Sequence, residues 1–245
     1  MAGLLARDRI ILAVDVSVEE DAERLVAIAR QAGARFVKFG LEMSSAFSWR
    51  YCAKLAASNG LDWIADAKLD DIPRTVAAAV ANIRRLDHPP FGITMHTTSG
   101  AEAMRLAQHE AGDIKMLGVT VLTSIGGTAS ESDGLSEGER LFHVPVRQEV
   151  MELAREAVRA GMAGVVCSPL EVGMVKADPE TRGLFAMIPG SRSAHVDAGD
   201  QARVGTPATA IREGADLLVI GRQITQSEDP LRAYEDLVSE IEDAL

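Results

Sequence analysis

Residues 63–75 read WIADAKLDDIPRT, and this stretch contains one complete passage from a strand into a helix. Trp63, Ile64 and Ala65 open it as an apolar run, which is typical of a strand covered on both faces. Pro73 suits the first turn of the helix that follows, because a backbone N–H has no partner within the helix at that position. The stretch therefore predicts a buried strand that leads directly into a helix.

The same alternation of short apolar runs and longer helical patterns continues along the whole chain. About 30 residues per unit favour one (β/α)8 TIM barrel, a single α/β catalytic domain over residues 1–245. A doubly wound open sheet is the alternative that periodicity alone does not exclude. The predicted strands are residues 10–14, 36–39, 63–68, 92–96, 116–121, 164–167, 185–188 and 217–220. The predicted helices are residues 18–32, 45–58, 72–85, 101–110, 147–160, 206–213 and 231–245, the first opened by a capping box of Ser17 and Glu20.

Composition narrows the class of protein. Hydrophobic residues make up 47% and charged residues 25% of the 245 residues, which is typical of a folded globular chain. The formal net charge of −11 disfavours nucleic acid as a partner, because duplex binding needs a basic face. Cys52 and Cys167 cannot form a disulfide framework, and no apolar run approaches the roughly 20 residues that span a bilayer. We expect a soluble protein of the cytoplasm, with no membrane partner.

Charged residues stand at the carboxyl ends of three successive predicted strands. Asp66 and Lys68 are two residues apart in a strand, so they point to the same side. Lys38 follows an apolar run in the preceding strand, and Asp15 ends the first one. Ionised groups buried at the open end of a barrel would have to be paired, because burial of an unpaired charge is costly. Asp71 lies beyond the strand and can face another direction.

The segment that contains Asp66, Lys68 and Asp71 resembles the signature of a known family. Residues 66–75 match the pattern D-x-K-x-x-D-I-P-x-T, which resembles the signature of orotidine 5′-monophosphate decarboxylases. Further segments agree in order and approximate spacing, from about residue 9 to the last helix: LAVD (12–15), VKFG (37–40), VTVLTS (119–124), VVCS (165–168), GDQ (199–201) and VIGR (219–222). The chain departs from the family's usual residues at Ala67, Asp70 and Arg74, but no charged group of the signature is lost.

The resemblance implies an activity and a set of roles. The activity is decarboxylation of orotidine 5′-monophosphate to UMP and CO2 in de novo pyrimidine biosynthesis, with no metal and no cofactor, in a homodimer with shared active sites. Lys38, Asp66 and Lys68 would form a catalytic tetrad with Asp71 of the other subunit, and Lys68 would give a proton to C6. The implied substrate-binding residues are Asp15 for the ribose, Thr75 across the interface, Thr123 beside Ser124 for the pyrimidine, and Arg192, Gln201, Gly221 and Arg222 for the phosphate.

Two features of the chain agree with these roles independently of the family. Long connections at residues 123–145 and 189–205 follow the fifth and seventh strands, on the side where barrel enzymes bind substrate. Barrels often bind phosphate with the loops after strands seven and eight, which here contain Arg192 and Arg222. We therefore predict a phosphate site between these two loops.

Two other functions compete with this one. Related barrel enzymes such as 3-keto-gulonate 6-phosphate decarboxylase and hexulose-phosphate synthase share D-x-K-x-x-D, but they use Mg²⁺ and carry a glutamate on the second strand, where this chain has Lys38. The five histidines have no metal-site spacing, and no G-x-G-x-x-G motif opens a helix after the first strand. The other alternative is a catalytically silent barrel that binds nucleotides as a sensor.

Overall fold

Eight parallel strands close into a barrel in chain order, and the first strand pairs with both the second and the last. The computed structural model describes residues 4–126, 128, 134–193, 203 and 205–245. The strands are β1 (Ile10–Val14), β2 (Phe36–Phe39), β3 (Asp62–Leu69), β4 (Gly92–His96), β5 (Lys115–Val119), β6 (Gly164–Val166), β7 (Phe185–Pro189) and β8 (Leu217–Ile220). This arrangement confirms the predicted (β/α)8 barrel and excludes the open sheet.

The helices lie between successive strands, as the sequence pattern predicts. They are α1 (Glu19–Gln31), α2 (Leu41–Ala46), α3 (Trp49–Ser58), α4 (Pro73–Arg84), α5 (Ala101–Ala111), α6 (Glu137–Phe142), α7 (Val146–Arg159), α8 (Val172–Ala177), α9 (Pro207–Arg212), α10 (Arg222–Thr225) and α11 (Pro230–Glu242). Short 3-10 turns occur at Ala6–Arg9 and Thr97–Ser99. No helix in the described part of the chain is long and apolar enough to cross a membrane.

Two local predictions are wrong. The helix predicted over residues 45–58 is two helices, α2 and α3, because Ser48 has a φ of +96° and its hydroxyl accepts a hydrogen bond from Tyr51 N–H at the start of α3. The predicted capping box at Ser17 does not form. Helix α1 follows Val18 without a side-chain cap, and the Ser17 hydroxyl donates instead to Glu42 Oε1 at 2.6 Å. Pro73 does occupy the first turn of α4, as predicted.

The interior of the barrel determines where charged side chains can stand. Phe36 and Ile64 belong to a fully buried cluster inside the barrel, separate from the larger core between the strands and the helices. Side chains two residues apart in a strand point to the same side, so Lys38 on β2 and Asp66 on β3 follow these apolar residues on the inward face. The apolar layer inside the barrel therefore ends at Phe36 and Ile64. The next inward-facing residues, towards the carboxyl ends of the strands, are charged.

Candidate active site

Asp15, Lys38, Asp66 and Lys68 form a connected charged cluster at the carboxyl ends of β1, β2 and β3. The Lys38 Nζ atom lies 2.8 Å from Asp15 Oδ1 and 3.2 Å from Asp66 Oδ2. The Lys68 Nζ atom lies 2.7 Å from the same Asp66 oxygen. Asp66 therefore bridges the two ammonium groups, and the cluster alternates in sign from Asp15 to Lys68. The pairing that burial at this place requires is present.

Burial and charge act in opposite directions on the two innermost groups. Asp66 and Lys38 are only 8% and 6% exposed. Burial alone would raise the pKa of Asp66, but the positive charges of Lys38 and Lys68, with hydrogen bonds from Lys68 and Thr94, lower it to about 2. Burial alone would lower the pKa of Lys38, but the charges of Asp66 and Asp15 outweigh it and raise that pKa. Both groups are therefore ionised at neutral pH.

The backbone at Lys68 has an unusual conformation. Its φ is +43°, which is uncommon for a residue other than glycine, and the register of β3 against β4 shifts between Ala65 and Leu69. Irregularities of this kind often occur beside active sites, where they change the direction of a side chain. The Lys68 N–H donates to the Thr94 hydroxyl on β4 at 2.9 Å. The irregular backbone is therefore held by a side chain of the neighbouring strand.

A cavity of about 640 Å³ opens over the charged cluster. This volume falls within the roughly 300–1,000 Å³ that is typical of small-molecule sites. Its lining includes the four cluster residues and most of the residues predicted to bind substrate: Asp15, Lys38, Asp66, Lys68, Thr123, Arg192, Gly221 and Arg222. The structure thus brings the predicted pyrimidine, ribose and phosphate contacts to the same cavity as the two lysines.

The two predicted phosphate arginines enter this cavity from different loops. Arg192 follows β7 and is buried, while Arg222 is the first residue of α10, directly after Gly221. The Arg192 N–H donates to Gly205 O at 2.9 Å, which ties the β7 loop to the segment that leads into α9. Gln201, the fourth predicted phosphate contact, lies outside the described residues.

Asp71 and Thr75 lie on the outer surface beyond the end of β3. Both are exposed, and neither lines the cavity of its own chain. Asp71 Oδ1 accepts a hydrogen bond from Ile72 N–H at 2.6 Å, and the apolar side chain of Ile72 is 66% exposed. The neighbouring Asp70 accepts a hydrogen bond from the Ser99 hydroxyl at 2.6 Å. A single chain therefore does not bring Asp71 or Thr75 to the charged cluster.

A second buried ion pair, not expected from the sequence, joins the loops on the far side of the cavity. Arg203 Nη1 lies 3.1 Å from Glu171 Oε1, and both residues are almost fully buried. The second terminal nitrogen of Arg203, Nη2, donates to the carbonyl oxygens of Val121 and Leu122 at 2.8 and 3.0 Å. One arginine thus connects the segments after β5, β6 and β7. In the sequence, the S-x-x-E pattern at residues 168–171 could have indicated a structural role for Glu171. Its carboxylate also accepts a hydrogen bond from Ser168 N–H.

The charged and titratable side chains near the cavity indicate the kind of ligand that it suits. No group of three or more histidine, cysteine, aspartate and glutamate side chains among the described residues is arranged to hold a metal ion. His96 ends β4 near the cluster, and burial lowers the pKa of its imidazole in spite of the nearby Asp70 charge. The basic groups that line the cavity suit an anionic ligand, and Lys38 occupies the place on β2 that faces Asp66.

Comparisons with known proteins agree on one family. The family model described as "Orotidine 5'-phosphate decarboxylase / HUMPS family" matches residues 8–237. The chain is 39% identical over 211 residues to orotidine 5′-phosphate decarboxylase of Opitutus terrae, covering 84% of this chain and 87% of that protein. It is 38% identical over 228 residues to the Anaeromyxobacter sp. protein of the same name, covering 92% and 95% of the two chains.

A solved structure shows the same architecture. The crystal structure of orotidine 5′-phosphate decarboxylase from Lactobacillus acidophilus superposes with a TM-score of 0.78 at 28% sequence identity. The superposition covers 96% of this chain and 99% of that chain.

Proposed function

The chain belongs to the orotidine 5′-phosphate decarboxylase / HUMPS family, and from this membership we propose how its charged cluster acts. It is an enzyme that decarboxylates orotidine 5′-monophosphate to UMP and CO2, a step of pyrimidine biosynthesis. The observation that carries the proposed mechanism is the array Lys38–Asp66–Lys68, with Nζ–Oδ2 distances of 3.2 and 2.7 Å, at the floor of the cavity.

The reaction needs fixed positive charge at C6 of the pyrimidine. When the bond from C6 to the carboxylate breaks, CO2 leaves and the electron pair remains on C6 in an orbital that no carbonyl of the ring can delocalise. We assign the stabilisation of this carbanion to the Lys68 ammonium, which then transfers a proton from Nζ to C6 and forms UMP. Asp66 holds Nζ at 2.7 Å, so the ammonium is in place before the bond breaks. In this proposal no cofactor takes part.

Asp66 and Lys38 form the inner part of the array. With a pKa of about 2, Asp66 is an anion at neutral pH, so it would stand beside the substrate carboxylate and favour its departure as neutral CO2. Lys38 also compensates the buried charge of Asp66 and reaches Asp15, which we assign to the ribose hydroxyls. The inner groups therefore maintain the charge pattern around Lys68.

The opposite part of the cavity provides the phosphate site in this proposal. Arg192 and Arg222 supply positive charge on a chain with a formal net charge of −11, and Gly221 offers backbone N–H. Thr123 would contact the pyrimidine between the two ends, and Gln201 stays a predicted phosphate contact. Binding energy from the phosphate, far from C6, can align the base on Lys68.

We propose that the active site is completed by a second copy of the chain. Asp71 and Thr75 belong to the family signature, yet both are exposed and neither lines the cavity of its own chain. The apolar side chain of Ile72 between them, 66% exposed, is suited to burial in an interface. A homodimer would place Asp71 and Thr75 at the partner's cavity. The cytoplasm stays the predicted location of this dimer.

The sugar-phosphate enzymes of the same family are the competing function. They use Mg²⁺ with a glutamate on the second strand, where β2 of this chain presents Lys38, and the relatives above are named for the nucleotide reaction. The test is an ultraviolet assay of orotidine 5′-monophosphate loss by the purified protein, with and without EDTA. We expect equal turnover in both. Absence of turnover in both, together with Mg²⁺-dependent decarboxylation of 3-keto-gulonate 6-phosphate, would favour the sugar-phosphate chemistry. Tight UMP binding without turnover of either substrate would favour a nucleotide sensor.

A further inference from the structure

Thr94 is a polar side chain at the base of the charged cluster that the mechanism above does not use. It lies on β4 and is completely buried, with 0% of its surface exposed. Its hydroxyl donates to Asp66 Oδ1 at 2.9 Å and accepts from the Lys68 N–H at 2.9 Å. One hydroxyl thus contacts both the carboxylate that holds the Lys68 ammonium and the backbone that carries the Lys68 side chain.

The backbone irregularity of β3 explains why a side chain is needed here. Between Ala65 and Leu69 the regular pairing of β3 with β4 is interrupted, and Lys68 has a φ of +43°. A backbone N–H that loses its partner in the sheet is unfavourable where water is excluded, and the Thr94 hydroxyl provides a new partner for the Lys68 N–H. The same hydroxyl then has one hydrogen to donate, and it reaches the Asp66 oxygen that the lysines do not contact.

We propose that Thr94 is a positioning residue that sets the place of Lys68 Nζ relative to Asp66. This inference rests on the roles proposed for Lys68 and Asp66 above. Asp66 Oδ2 binds both ammonium groups, so rotation of the carboxylate would move Lys68 and Lys38 together. The Thr94 hydrogen bond to Oδ1 fixes that rotation, and its bond to the Lys68 N–H fixes the start of the lysine side chain. The Thr94 hydroxyl oxygen therefore fixes both the carboxylate of Asp66 and the backbone of Lys68.

The variants Thr94→Val and Thr94→Ser separate positioning from simple packing. Valine keeps the shape of threonine and removes the hydroxyl, while serine keeps the hydroxyl and removes a methyl group. In the orotidine 5′-monophosphate assay we expect Thr94→Val to lower kcat by about 10²-fold with little change in KM, because small displacements of a reacting group cost rates of this order. Thr94→Ser should recover kcat to within a few-fold of wild type.

Thr181→Val serves as the matched control. Thr181 is also 0% exposed, its hydroxyl donates to Val175 O at 2.7 Å, and it does not line the cavity. This variant should lose stability in urea unfolding but keep the wild-type kcat. A loss of kcat in Thr181→Val equal to that in Thr94→Val would show that destabilisation alone explains the effect, and it would overturn the positioning role.

A second readout does not depend on turnover. Thr94 is one of the hydrogen-bond donors that lower the pKa of Asp66 to about 2, so its removal should raise that pKa. Titration of the Asp66 side-chain carboxyl by ¹³C NMR should show the rise in Thr94→Val and not in Thr94→Ser. Unchanged titration with unchanged kcat would overturn the proposal. An inactive wild-type protein would overturn the proposed function instead, and the titration would still decide whether Thr94 positions Asp66.

Discussion

Gly40 leaves the space in which Asp15 and Lys38 pair. A Cβ atom at residue 40 would lie 2.9 Å from Asp15 Oδ1 and 3.0 Å from Lys38 Nζ. Because both atoms are the ends of flexible side chains, the fold can adapt, but the charged cluster must move. We expect Gly40→Ala to lower kcat/KM about tenfold or more while the free energy of unfolding changes by less than about 1 kcal/mol.

Gly183→Ala is the control for that prediction. A Cβ atom at residue 183 would meet nothing within 4 Å, so both activity and stability should stay near wild type. Steady-state kinetics and urea unfolding of the two variants give the comparison. Wild-type kcat/KM in Gly40→Ala would show that the Asp15–Lys38 contact is not needed in this geometry.

The charge of Asp66 predicts a pH dependence of stability. The folded-state pKa of about 2 lies below the usual unfolded value near 3.9, so the stabilisation is present above pH 4 and is lost as the pH falls from about 4 to about 2. Asp66→Asn removes this contribution. The difference in free energy of unfolding between wild type and Asp66→Asn should therefore be large at pH 7 and shrink towards pH 2, as measured by urea unfolding.

Asp62→Asn, at the other end of β3, is the matched variant. Its carboxylate pairs with Arg35 at 3.1 Å with both side chains 43% exposed, so the loss at pH 7 should stay below about 1 kcal/mol. A gap between wild type and Asp66→Asn that stays constant down to pH 2 would contradict the lowered pKa.

At the scale of elements, β3 shows what the sequence could predict and what it could not. The two-residue spacing of Asp66 and Lys68 and the apolar run before them predicted a strand with its charges at the carboxyl end. The contact of Thr94 with both residues depends on the register between β3 and β4, which has an irregularity that no local pattern reveals. The Ser17 cap failed for a similar reason, because Glu42 of another element accepts its hydroxyl.

The loops after β5, β6 and β7 depend on the buried pair of Arg203 and Glu171. Glu171→Gln would leave the Arg203 charge buried without its counter-ion, which costs about 3–5 kcal/mol. We expect this loss in urea unfolding. The exposed pair Arg232–Asp236 provides the control, since Asp236→Asn should cost less than about 1 kcal/mol. Equal small losses in both variants would mean that the buried pair does not stabilise these loops.

At the scale of the whole molecule, the barrel itself was predictable, because eight repeats of one pattern leave few topologies for a parallel sheet. The charged cluster followed from it, since the carboxyl ends of β1, β2 and β3 meet at one rim. The place of Asp71 could not follow from one chain. Its carboxylate does not line the cavity of its own chain, and in the homodimer that we propose a second copy would bring it to the site.

Mixing two inactive variants tests the proposal that the active site is shared between two subunits. Asp71→Ala and Lys68→Ala each damage every site of their own homodimer. In a mixed dimer, one site combines the intact Lys68 of one chain with the intact Asp71 of the other. Random reassociation should therefore restore about a quarter of the wild-type specific activity. The Lys68→Ala variant mixed with itself is the control, and no recovery in the mixture of the two variants would contradict a site shared between subunits.

The proton donor at C6 is tested most directly by turnover of Lys68→Ala. We predict that kcat for orotidine 5′-monophosphate falls by at least about 10³-fold, because the variant loses both the charge that stabilises the carbanion and the proton donor. Calorimetry should still detect UMP binding through Arg192 and Arg222, and Lys54→Ala, on the exposed face of α3, should keep wild-type turnover. Near-normal turnover by Lys68→Ala would contradict the account.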